Sequence, residues 1–283
     1  MTVLEGIQKS AEFLAGKGVE SPRLNAELLL AHILRLPRMK LYLNFERPLT
    51  PAEVDQLRAA VRRRGQREPL QHITGTTFFC GLEMETNRNA LVPRPETELL
   101  AEAAWSFLAT LNTSPSAALD FGTGSGCIAI ALAHKTPGVR VVALDISKDA
   151  LELAAHNAAR HQVADRMEFI CGAGLAALPS QRRFNLIVSN PPYIPSGEIP
   201  SLEPEVRDHD PRLALDGGCD GLDFYRDLAA RGQDFLEPNG KIMLEFGDGQ
   251  AEALRGIFES QNWVVEAIQA DYSQRLRILV ARR

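Results

Sequence analysis

Residues 117–283 alternate between short apolar runs and longer stretches in which apolar positions recur at helical spacing. Short apolar runs bounded by turn residues are typical of buried strands, and helices between them favour parallel strand neighbours. The pattern therefore predicts an α/β fold, with a mainly parallel sheet covered by helices on both faces. The seven predicted strands are 117–121, 139–145, 167–171, 184–189, 241–246, 263–269 and 276–281.

Residues 2–65 have a different pattern, which is helical throughout. Leu4, Ile7 and Leu14 recur at helical spacing and predict a first helix. Ser21-Pro22 and Thr50-Pro51 each predict the start of a further helix, because Ser and Thr are favoured caps and Pro is favoured at the first helical position. This region is predicted to be a small helical bundle.

Residues 69–95 separate these two regions and are rich in Thr, Phe and Gly. Gly75 and Gly81 among short apolar runs predict a β-hairpin-like linker. The stretch Pro93-Arg94-Pro95-Glu96-Thr97-Glu98 then predicts a helix start, with acidic residues favoured in its first turn. We therefore expect a helical domain over 1–68, a linker over 69–95 and a sheet domain over 96–283.

Composition limits the function classes that we consider. The chain has 283 residues, 45% hydrophobic and 24% charged, with a net charge of −5, which is ordinary for a globular protein and unlike a general polyanion binder. Its four cysteines, Cys80, Cys127, Cys171 and Cys219, lie far apart, so neither a disulfide framework nor a metal site is expected. The start of the chain does not resemble a signal peptide, and we expect a cytoplasmic protein without a membrane segment.

The predicted strand 184–189 ends in an unusual proline corner, Asn190-Pro191-Pro192-Tyr193. Prolines have no N–H to extend a strand ladder, while Asn190 contributes a side-chain carbonyl acceptor and Tyr193 a ring for stacking. A flat NH₂ group could donate one proton to Asn190 and one to the Pro191 carbonyl. A plain Pro-Pro turn is the alternative, but this motif directly after a buried strand favours a site for an amide or an exocyclic amine.

A second candidate site follows the first predicted strand, where glycines alternate in Gly122-Thr123-Gly124-Ser125-Gly126. Such a loop lets the backbone approach a ligand closely, and the helix that follows attracts a carboxylate. The spacing departs from the dinucleotide fingerprint, which makes NAD less favoured without excluding it.

Asp145 ends the next strand, where a carboxylate can accept hydrogen bonds from a ribose diol or can cap the following helix. The glycine loop and Asp145 are each weak evidence alone. Together with the proline corner they favour S-adenosyl-L-methionine as the cofactor.

The chain as a whole resembles the PrmC/HemK family, the protein-(glutamine-N5) methyltransferases that modify class I peptide chain release factors. The resemblance spans nearly the whole length and rests on an ordered set of motifs. These are Gln71-His72-Ile73-Thr74-Gly75, the 93–98 stretch, 120–126, 190–193, Leu213-Ala214-Leu215-Asp216-Gly217-Gly218 and Glu245-Phe246-Gly247.

The resemblance implies an S-adenosylmethionine-dependent transferase with a Rossmann-like catalytic domain and an N-terminal domain that docks the release factor. It implies methylation of the glutamine in a Gly-Gly-Gln motif, which supports translation termination. The implied cofactor contacts are Gly122, Thr123, Gly124, Ser125, Gly126, Asp145, Gly174 and Asn190. The implied catalytic and substrate contacts are Asn190, Pro191, Pro192 and Tyr193.

One stretch departs from the family. An acidic residue followed by an aromatic is common near the adenine, whereas this chain has Cys171-Gly172-Ala173-Gly174. Gly174 is our candidate for the residue that contacts the adenine in their place. Because a poorly nucleophilic amide needs positioning more than deprotonation before transfer, we nominate no catalytic base.

Two other functions remain open from the sequence. The same corner would permit adenine methylation in nucleic acid, but the acidic second half has no basic stripe suited to a phosphate backbone, so direct nucleic-acid binding is not favoured. A non-catalytic cofactor-binding or RNA-associated module would not need the corner. The basic cluster Arg62-Arg63-Arg64 is interpreted as a solvated helix end or a docking patch, and 194–221 as a lid or substrate-facing loop.

Overall fold

The computed structural model describes residues 1–111 and 115–283. These residues form two compact units. The helical unit comprises 1–76 together with 203–209, and the sheet unit comprises 77–202 together with 210–283. The two units are therefore not two consecutive pieces of chain, because a short segment from the second half packs with the first.

The first part of the helical unit contains three long helices and two short ones. Threonines at 2 and 50 start two of the long helices by accepting a hydrogen bond from a glutamate N–H three residues on, while the glutamate carboxylate accepts from the threonine N–H. The predicted bundle is confirmed, and apolar side chains such as Ile7, Leu29 and Leu57 form its core. The five helices are α1 (Val3–Gly16), α2 (Pro22–Leu34), α3 (Arg38–Leu41), α4 (Pro51–Gly65) and α5 (Leu70–Thr74).

The predicted hairpin is also present, as β1 (Thr76–Phe79) and β2 (Leu82–Glu85). Cys80 and Gly81 connect the strands, and both have positive φ, at 51° and 80°. Two consecutive residues of positive φ give the turn whose twist matches the flanking strands. A two-residue loop therefore suffices here.

Over the described ranges the main sheet has seven strands in the order β5-β4-β3-β6-β7-β9-β8, with β9 antiparallel to both of its neighbours. The α/β fold with a mainly parallel sheet, predicted from the apolar runs, is confirmed. The strands are β3 (Ala117–Phe121), β4 (Arg140–Asp145), β5 (Met167–Cys171), β6 (Phe184–Ser189), β7 (Leu236–Glu245), β8 (Val264–Ala270) and β9 (Leu276–Arg282).

The predicted start of β7 was wrong by five residues, because we expected a strand from 241 and observe it from Leu236. Leu236 pairs with Phe184 and Lys241 pairs with Leu186, so the ladder contains an irregularity between them. The residues in that interval, Glu237-Pro238-Asn239-Gly240, are turn formers, and a bulge inserts such residues into a strand. From the sequence pattern alone, these four turn formers are interpreted as a loop.

Six α-helices follow the hairpin in the residues that the structure describes, and five of them belong to the sheet unit. Successive strand residues point to opposite faces, so Leu186 and Val188 of β6 pack in one apolar core and Ile187 packs in the other. Both faces of the sheet are therefore covered. The helices are α6 (Pro95–Ala109), α7 (Cys127–Lys135), α8 (Lys148–Arg160), α9 (Pro204–Arg207), α10 (Asp223–Arg231) and α11 (Ala251–Ser260), of which α9 lies in the helical unit. None of the described helices has the length and apolar character needed to cross a bilayer.

Strand order reverses at β3, which has β4 on one side and β6 on the other. In parallel sheets of this kind, ligands bind beyond the carboxyl ends of the strands at that reversal. The glycine loop follows β3, Asp145 ends β4 and Asn190 follows β6. The fold thus brings the three predicted motifs to one edge of the sheet.

The basic cluster at the end of α4 is part of the packing of the helical unit. Arg64 is only 6% exposed; its Nε donates to Asn25 Oδ1 at 2.8 Å and its guanidinium to Glu205 at 2.8 Å. Arg63 pairs with Glu68. Arg64 fits neither sequence interpretation, the solvated helix end or the docking patch, because its side chain is buried and bound to a carboxylate. That carboxylate lies 141 positions away in the chain, so the sequence pattern did not reveal it.

Glu205 on α9 is held by two arginines, since Arg67 Nε also donates to it at 2.6 Å. Burial raises the pKa of the Glu205 carboxyl, but the hydrogen bonds from Arg67 and Arg64 outweigh burial and leave it below its usual value. Removing a partner from a buried charge is costlier than removing one at the surface. The segment 203–209 therefore depends on this carboxylate for its place in the helical unit.

We expect Glu205→Gln to lower the free energy of unfolding by about 1–2 kcal/mol, because it leaves the buried Arg64 without its carboxylate. Denaturant unfolding of the full chain would measure this. Glu203→Gln is the matched control, because the Glu203 side chain is 77% exposed in its pair with Arg67, and it should cost less than about 0.5 kcal/mol. Equal effects of the two changes would contradict the role given to Glu205.

Candidate functional site

A cavity of about 280 Å³ lies beyond the carboxyl ends of β3, β4 and β6. Its walls are mainly apolar, with Ile146, Leu213 and Phe224 among them, and Arg94 and Asp145 are the charged residues that line it within the described chain. Cavities with apolar walls and a few convergent polar groups are typical of small-molecule sites. This cavity is therefore the candidate site.

The glycine loop forms one wall, and two of its glycines are required for different reasons. Gly122 has φ 71°, and a Cβ placed there would meet no protein atom within 4 Å, so its backbone opens onto the cavity. Gly126 has φ 81°, and a Cβ there would lie 2.9 Å from the Ala154 Cβ of α8. The first glycine leaves room for a ligand and the second lets α8 pack closely.

Asp120, one residue before the end of β3, holds this loop in place through two hydrogen bonds. Its Oδ2 accepts from the Thr123 hydroxyl at 2.7 Å and from the Ala129 N–H at 3.1 Å. The carboxyl is 1% exposed and its Oδ1 has no partner among the described residues. Burial raises the pKa of Asp120 to about 7. The loop is thus held by a carboxyl that resists ionisation.

Asp145 faces the loop from β4. Its Oδ2 accepts from the Gly124 N–H at 2.8 Å and its Oδ1 from the Ser147 N–H at 2.9 Å. The alternative in which Asp145 caps α8 is wrong, because Ser147 is the cap and its hydroxyl accepts from the Ala150 N–H. Each carboxylate oxygen can accept more than one hydrogen bond, so Asp145 keeps capacity for a ligand.

Asn157 on α8 joins the loop to the hairpin, and the sequence analysis missed it. It is completely buried; its Nδ2 donates to the Ser125 carbonyl at 3.0 Å and to the Glu85 carbonyl at 3.1 Å, and its Oδ1 accepts from the Glu85 N–H at 2.8 Å. No local pattern marks it, because an Asn inside an amphipathic helix has no distinctive spacing.

The proline corner after β6 is held on two sides. Ser189 Oγ donates to the Phe121 carbonyl of β3 at 2.6 Å, and Gln250 Nε2 donates to the Tyr193 carbonyl at 2.9 Å. Burial, together with the nearby Glu245 carboxyl, raises the pKa of Tyr193 to about 12, so its phenol stays neutral. The corner is therefore rigid at both ends.

At the tip of the corner, Asn190 Nδ2 donates to the Thr97 hydroxyl on α6 at 3.0 Å. Glu245, the last residue of β7, is 3% exposed beside them. Burial raises the pKa of Glu245 to about 7, although contacts with Thr97 and Asn190 act to lower it. Neither Thr97 nor Glu245 was a candidate site residue from the sequence.

The structure does not place all candidates equally. Six of the predicted cofactor contacts and Pro192 line the cavity, whereas Ser125, Gly126, Pro191 and Tyr193 are not on its walls. Ser125 and Pro191 are buried, and Gly126 lies against α8. The six are Gly122, Thr123, Gly124, Asp145, Gly174 and Asn190.

The chain is similar to known proteins along most of its length. Residues 5–75 match the family model of the PrmC N-terminal domain, and residues 99–200 match that of the methyltransferase small domain. A release factor glutamine methyltransferase of Geobacter sulfurreducens is 46% identical over 91% of this chain and 88% of its own. Another, of Chlorobaculum tepidum, is 43% identical over 96% of this chain and 94% of its own.

The chain belongs to the release factor glutamine methyltransferase family. The predicted resemblance is thereby confirmed, and the chain is a methyltransferase. Among solved structures, a methyltransferase from Pyrococcus furiosus covers 71% of this chain and 89% of its own at 20% identity, with a TM-score of 0.51. That likeness supports the fold alone.

Family membership directs attention to two motifs whose side chains the sequence analysis left unassigned. Thr97 lies in the 93–98 stretch, which was interpreted as a helix start as well as a carrier of the resemblance. Glu245 lies in Glu245-Phe246-Gly247, which was quoted only as a carrier of the resemblance. The fold brings both residues to Asn190, from α6 and β7. The signal that could have found them was their place in motifs that carry the resemblance.

The stretch 171–174, where we expect a departure from the family pattern, is closely packed. A Cβ at Gly172 would lie 2.3 Å from the Ala177 Cβ. Gly172, Ala173 and Gly174 all line the cavity. This wall is therefore made largely of backbone.

The raised pKa of Asp120 predicts a pH effect on stability. Its value is about 7 in the folded chain and about 4 when unfolded, so the folded state binds the proton more tightly between these values. Stability from this group is present at low pH and falls as pH rises through that window. We expect Asp120→Asn to gain stability relative to wild type as pH rises, measured as melting temperature across the window. The exposed Asp149→Asn should keep the wild-type slope, and a pH-independent difference for Asp120→Asn would contradict the assignment.

Asn157→Leu should destabilise the sheet unit by about 2–4 kcal/mol, because it leaves one buried and two partly buried backbone groups without their partner. It should also speed amide hydrogen exchange in the glycine loop. A buried substitution that destabilised the protein generally would speed exchange throughout the sheet unit instead of in this loop alone. Glu152→Leu, on the exposed face of the same helix, is the matched control. Unchanged exchange in the loop of Asn157→Leu would show that this residue does not brace it.

Proposed function

We propose that the chain transfers a methyl group from S-adenosyl-L-methionine to the side-chain amide nitrogen (N5) of the glutamine in the Gly-Gly-Gln motif of class I peptide chain release factors, and so supports translation termination. The observation that carries this proposal is the fixed amide of Asn190 at the rim of a cavity that also contains the glycine loop and Asp145. A methyl donor and a carboxamide need such neighbouring sites.

The residues present fit the cofactor. Gly122 leaves open space above its backbone, and Asp145 keeps acceptor capacity for a ribose diol. The apolar side chains around Ile146 and the backbone wall at Gly172–Gly174 would hold a flat base, and Gly122–Gly124 with Asn190 would hold the rest. When bound, S-adenosyl-L-methionine supplies a methyl group made electrophilic by its sulfonium.

The proline corner would hold the glutamine amide. Asn190 offers its Oδ1 as one acceptor, and the Pro191 carbonyl, to which no described residue donates a hydrogen bond, is the other candidate. Two accepted N–H bonds would fix the plane of the amide and direct its lone pair into the cavity. The nitrogen becomes acidic on methylation and can lose its proton to water, so no base is assigned.

The relatives named above are release factor glutamine methyltransferases, and this supports a release factor as the protein substrate. The overall charge of −5 does not favour nucleic acid as the partner. We assign residues 1–68 to substrate docking, 69–95 to a linker and 96–283 to methyl transfer, and a cytoplasmic location follows from such a substrate. The loop 194–221, three of whose residues line the cavity, is proposed to face the substrate.

The substrate class is tested by incubating the full chain with labelled cofactor and either a class I release factor or DNA. Mass spectrometry should find one added methyl group on the glutamine of the Gly-Gly-Gln peptide and none on DNA. Label on adenine with an unmodified release factor would overturn the proposal in favour of a nucleic-acid methyltransferase. Label on neither would overturn it altogether.

Asn190→Ala should lower methyl transfer by about 100-fold or more, because the substrate amide loses its oriented acceptor. Cofactor affinity, measured by calorimetry, should change far less, since the glycine loop and Asp145 are untouched. Asn239→Ala, at an exposed position in β7, is the matched control and should behave as wild type. Full activity of Asn190→Ala would remove the corner from the reaction.

A further inference from the structure

The amide of Asn190 is oriented by a short chain of polar contacts that leads into the protein. Its Nδ2 donates to Thr97 Oγ1. A hydroxyl that accepts a hydrogen bond still has its own proton to donate. Ser189 of β6 pairs with Leu244 of β7, so Glu245 is the next residue of β7 beside Asn190. The Glu245 carboxyl lies near enough to Thr97 and Asn190 for both to act on its pKa. Asn190, Thr97 and this buried carboxyl therefore form one polar cluster.

Glu245 is an unusual residue to find at this depth. It is 3% exposed, and its Oε2 has no hydrogen-bond partner among the described residues. A buried carboxyl that is incompletely paired costs stability and is rarely kept without a reason. An ionised carboxylate can only accept hydrogen bonds, so it requires the neighbouring hydroxyl and amide to turn their protons toward it.

We propose that Glu245 is a positioning residue that acts through Thr97 to hold the Asn190 amide with its oxygen turned toward the substrate. This inference rests on the proposed function, because the direction of the amide matters only if the guest presents an NH₂ group. With Asn190 reversed, its own NH₂ would face the substrate NH₂, and neither could accept. The arrangement therefore selects for a donor and against a guest that offers only acceptors.

The ionisation state of Glu245 decides whether this orientation holds. A protonated carboxyl can donate to Thr97, whose hydroxyl can then donate to Asn190 and allow the reversed amide. Burial raises the pKa of Glu245 to about 7, so ionisation is incomplete near neutrality. Competent orientation is present above that value and is lost as pH falls through it.

Other charged and titratable groups face Glu245 from the surrounding elements. Glu96 on α6 raises its pKa and Arg277 on β9 lowers it. Tyr193 of the corner stays neutral, its pKa raised to about 12, and the buried Tyr225 of α10 donates its hydroxyl to the Glu245 carbonyl at 2.8 Å. Neither tyrosine titrates near pH 7. Asp120 also has a pKa raised to about 7, but it binds Thr123 and the Ala129 N–H rather than Asn190, so the loss of the limb in Glu245→Gln is what assigns the rate change to Glu245.

The test is the pH profile of kcat/KM for a Gly-Gly-Gln peptide, with wild type, Glu245→Gln, Thr97→Val and Thr97→Ser. Wild type should lose activity as pH falls through about 7. Glu245→Gln should lower kcat/KM by about tenfold or more at high pH and remove that limb. Thr97→Val should show a similar loss and Thr97→Ser should recover most of it, because serine restores the hydroxyl.

Thr136→Val is the matched control, since Thr136 is a buried threonine outside the cavity whose hydroxyl has no partner in the described chain. It should show wild-type kinetics. Melting temperature and calorimetric titration of the cofactor serve as readouts besides activity, and Thr97→Val should retain both. If Glu245→Gln does not fold, Thr97→Val still decides the matter.

A wild-type pH limb that persists in Glu245→Gln, or a Thr97→Val variant as active as wild type, would overturn the inference. If the wild-type chain methylates the peptide, either of these results leaves the proposed function intact. A wild-type chain that does not methylate the peptide while methylating DNA would instead remove the proposed function. The two failures are therefore distinguishable.

Discussion

The site depends on a single constraint, that polar groups buried where three parallel strands end have mainly one another as hydrogen-bond partners. β3, β4 and β6 end side by side at the reversal of strand order, where no further ladder can satisfy their last carbonyls and side chains. Ser189 reaches across to the Phe121 carbonyl, Asp120 holds the turn above it, and Asp145 binds the Gly124 N–H. These bonds make the rim of the cavity stiff before any ligand arrives.

Two carboxyls in this region, Asp120 and Glu245, carry pKa values raised to about 7 by burial. They have different surroundings. Within the described chain the Asp120 carboxyl accepts from the Thr123 hydroxyl of the glycine loop and from the Ala129 N–H of α7, so it supports the loop and the start of that helix. Glu245 lies beside Asn190 and Thr97, whose side chains line the cavity, and this position is the basis of the role proposed for it. Shifted carboxyls often mark functional sites, but only the geometry around each one separates support from chemistry.

Much of the fold could be predicted from the sequence because its signals are local. Strand 184–189, the glycine loop and the proline corner are each defined within about ten residues of chain, and β3, β5 and β6 have the predicted bounds. Thr97, Asn157 and Glu245 could not be found in this way, because each acts through a contact with a distant element. The partners of Arg64 were hidden for the same reason, and the early start of β7 was hidden by turn-forming residues within the strand.

The segment 203–209 has a consequence for any attempt to divide this protein. It is encoded between two stretches of the sheet unit but packs within the helical unit, where Arg64 and Arg67 bind Glu205. A shortened polypeptide beginning at residue 77 would retain the acidic segment and lose both of its arginines. An isolated N-terminal fragment would retain a buried guanidinium that has lost its counter-charge. A cut near residue 77 therefore separates a buried arginine from its carboxylate, and an exchange of the N-terminal bundle keeps this ion pair only if 203–209 is exchanged with it.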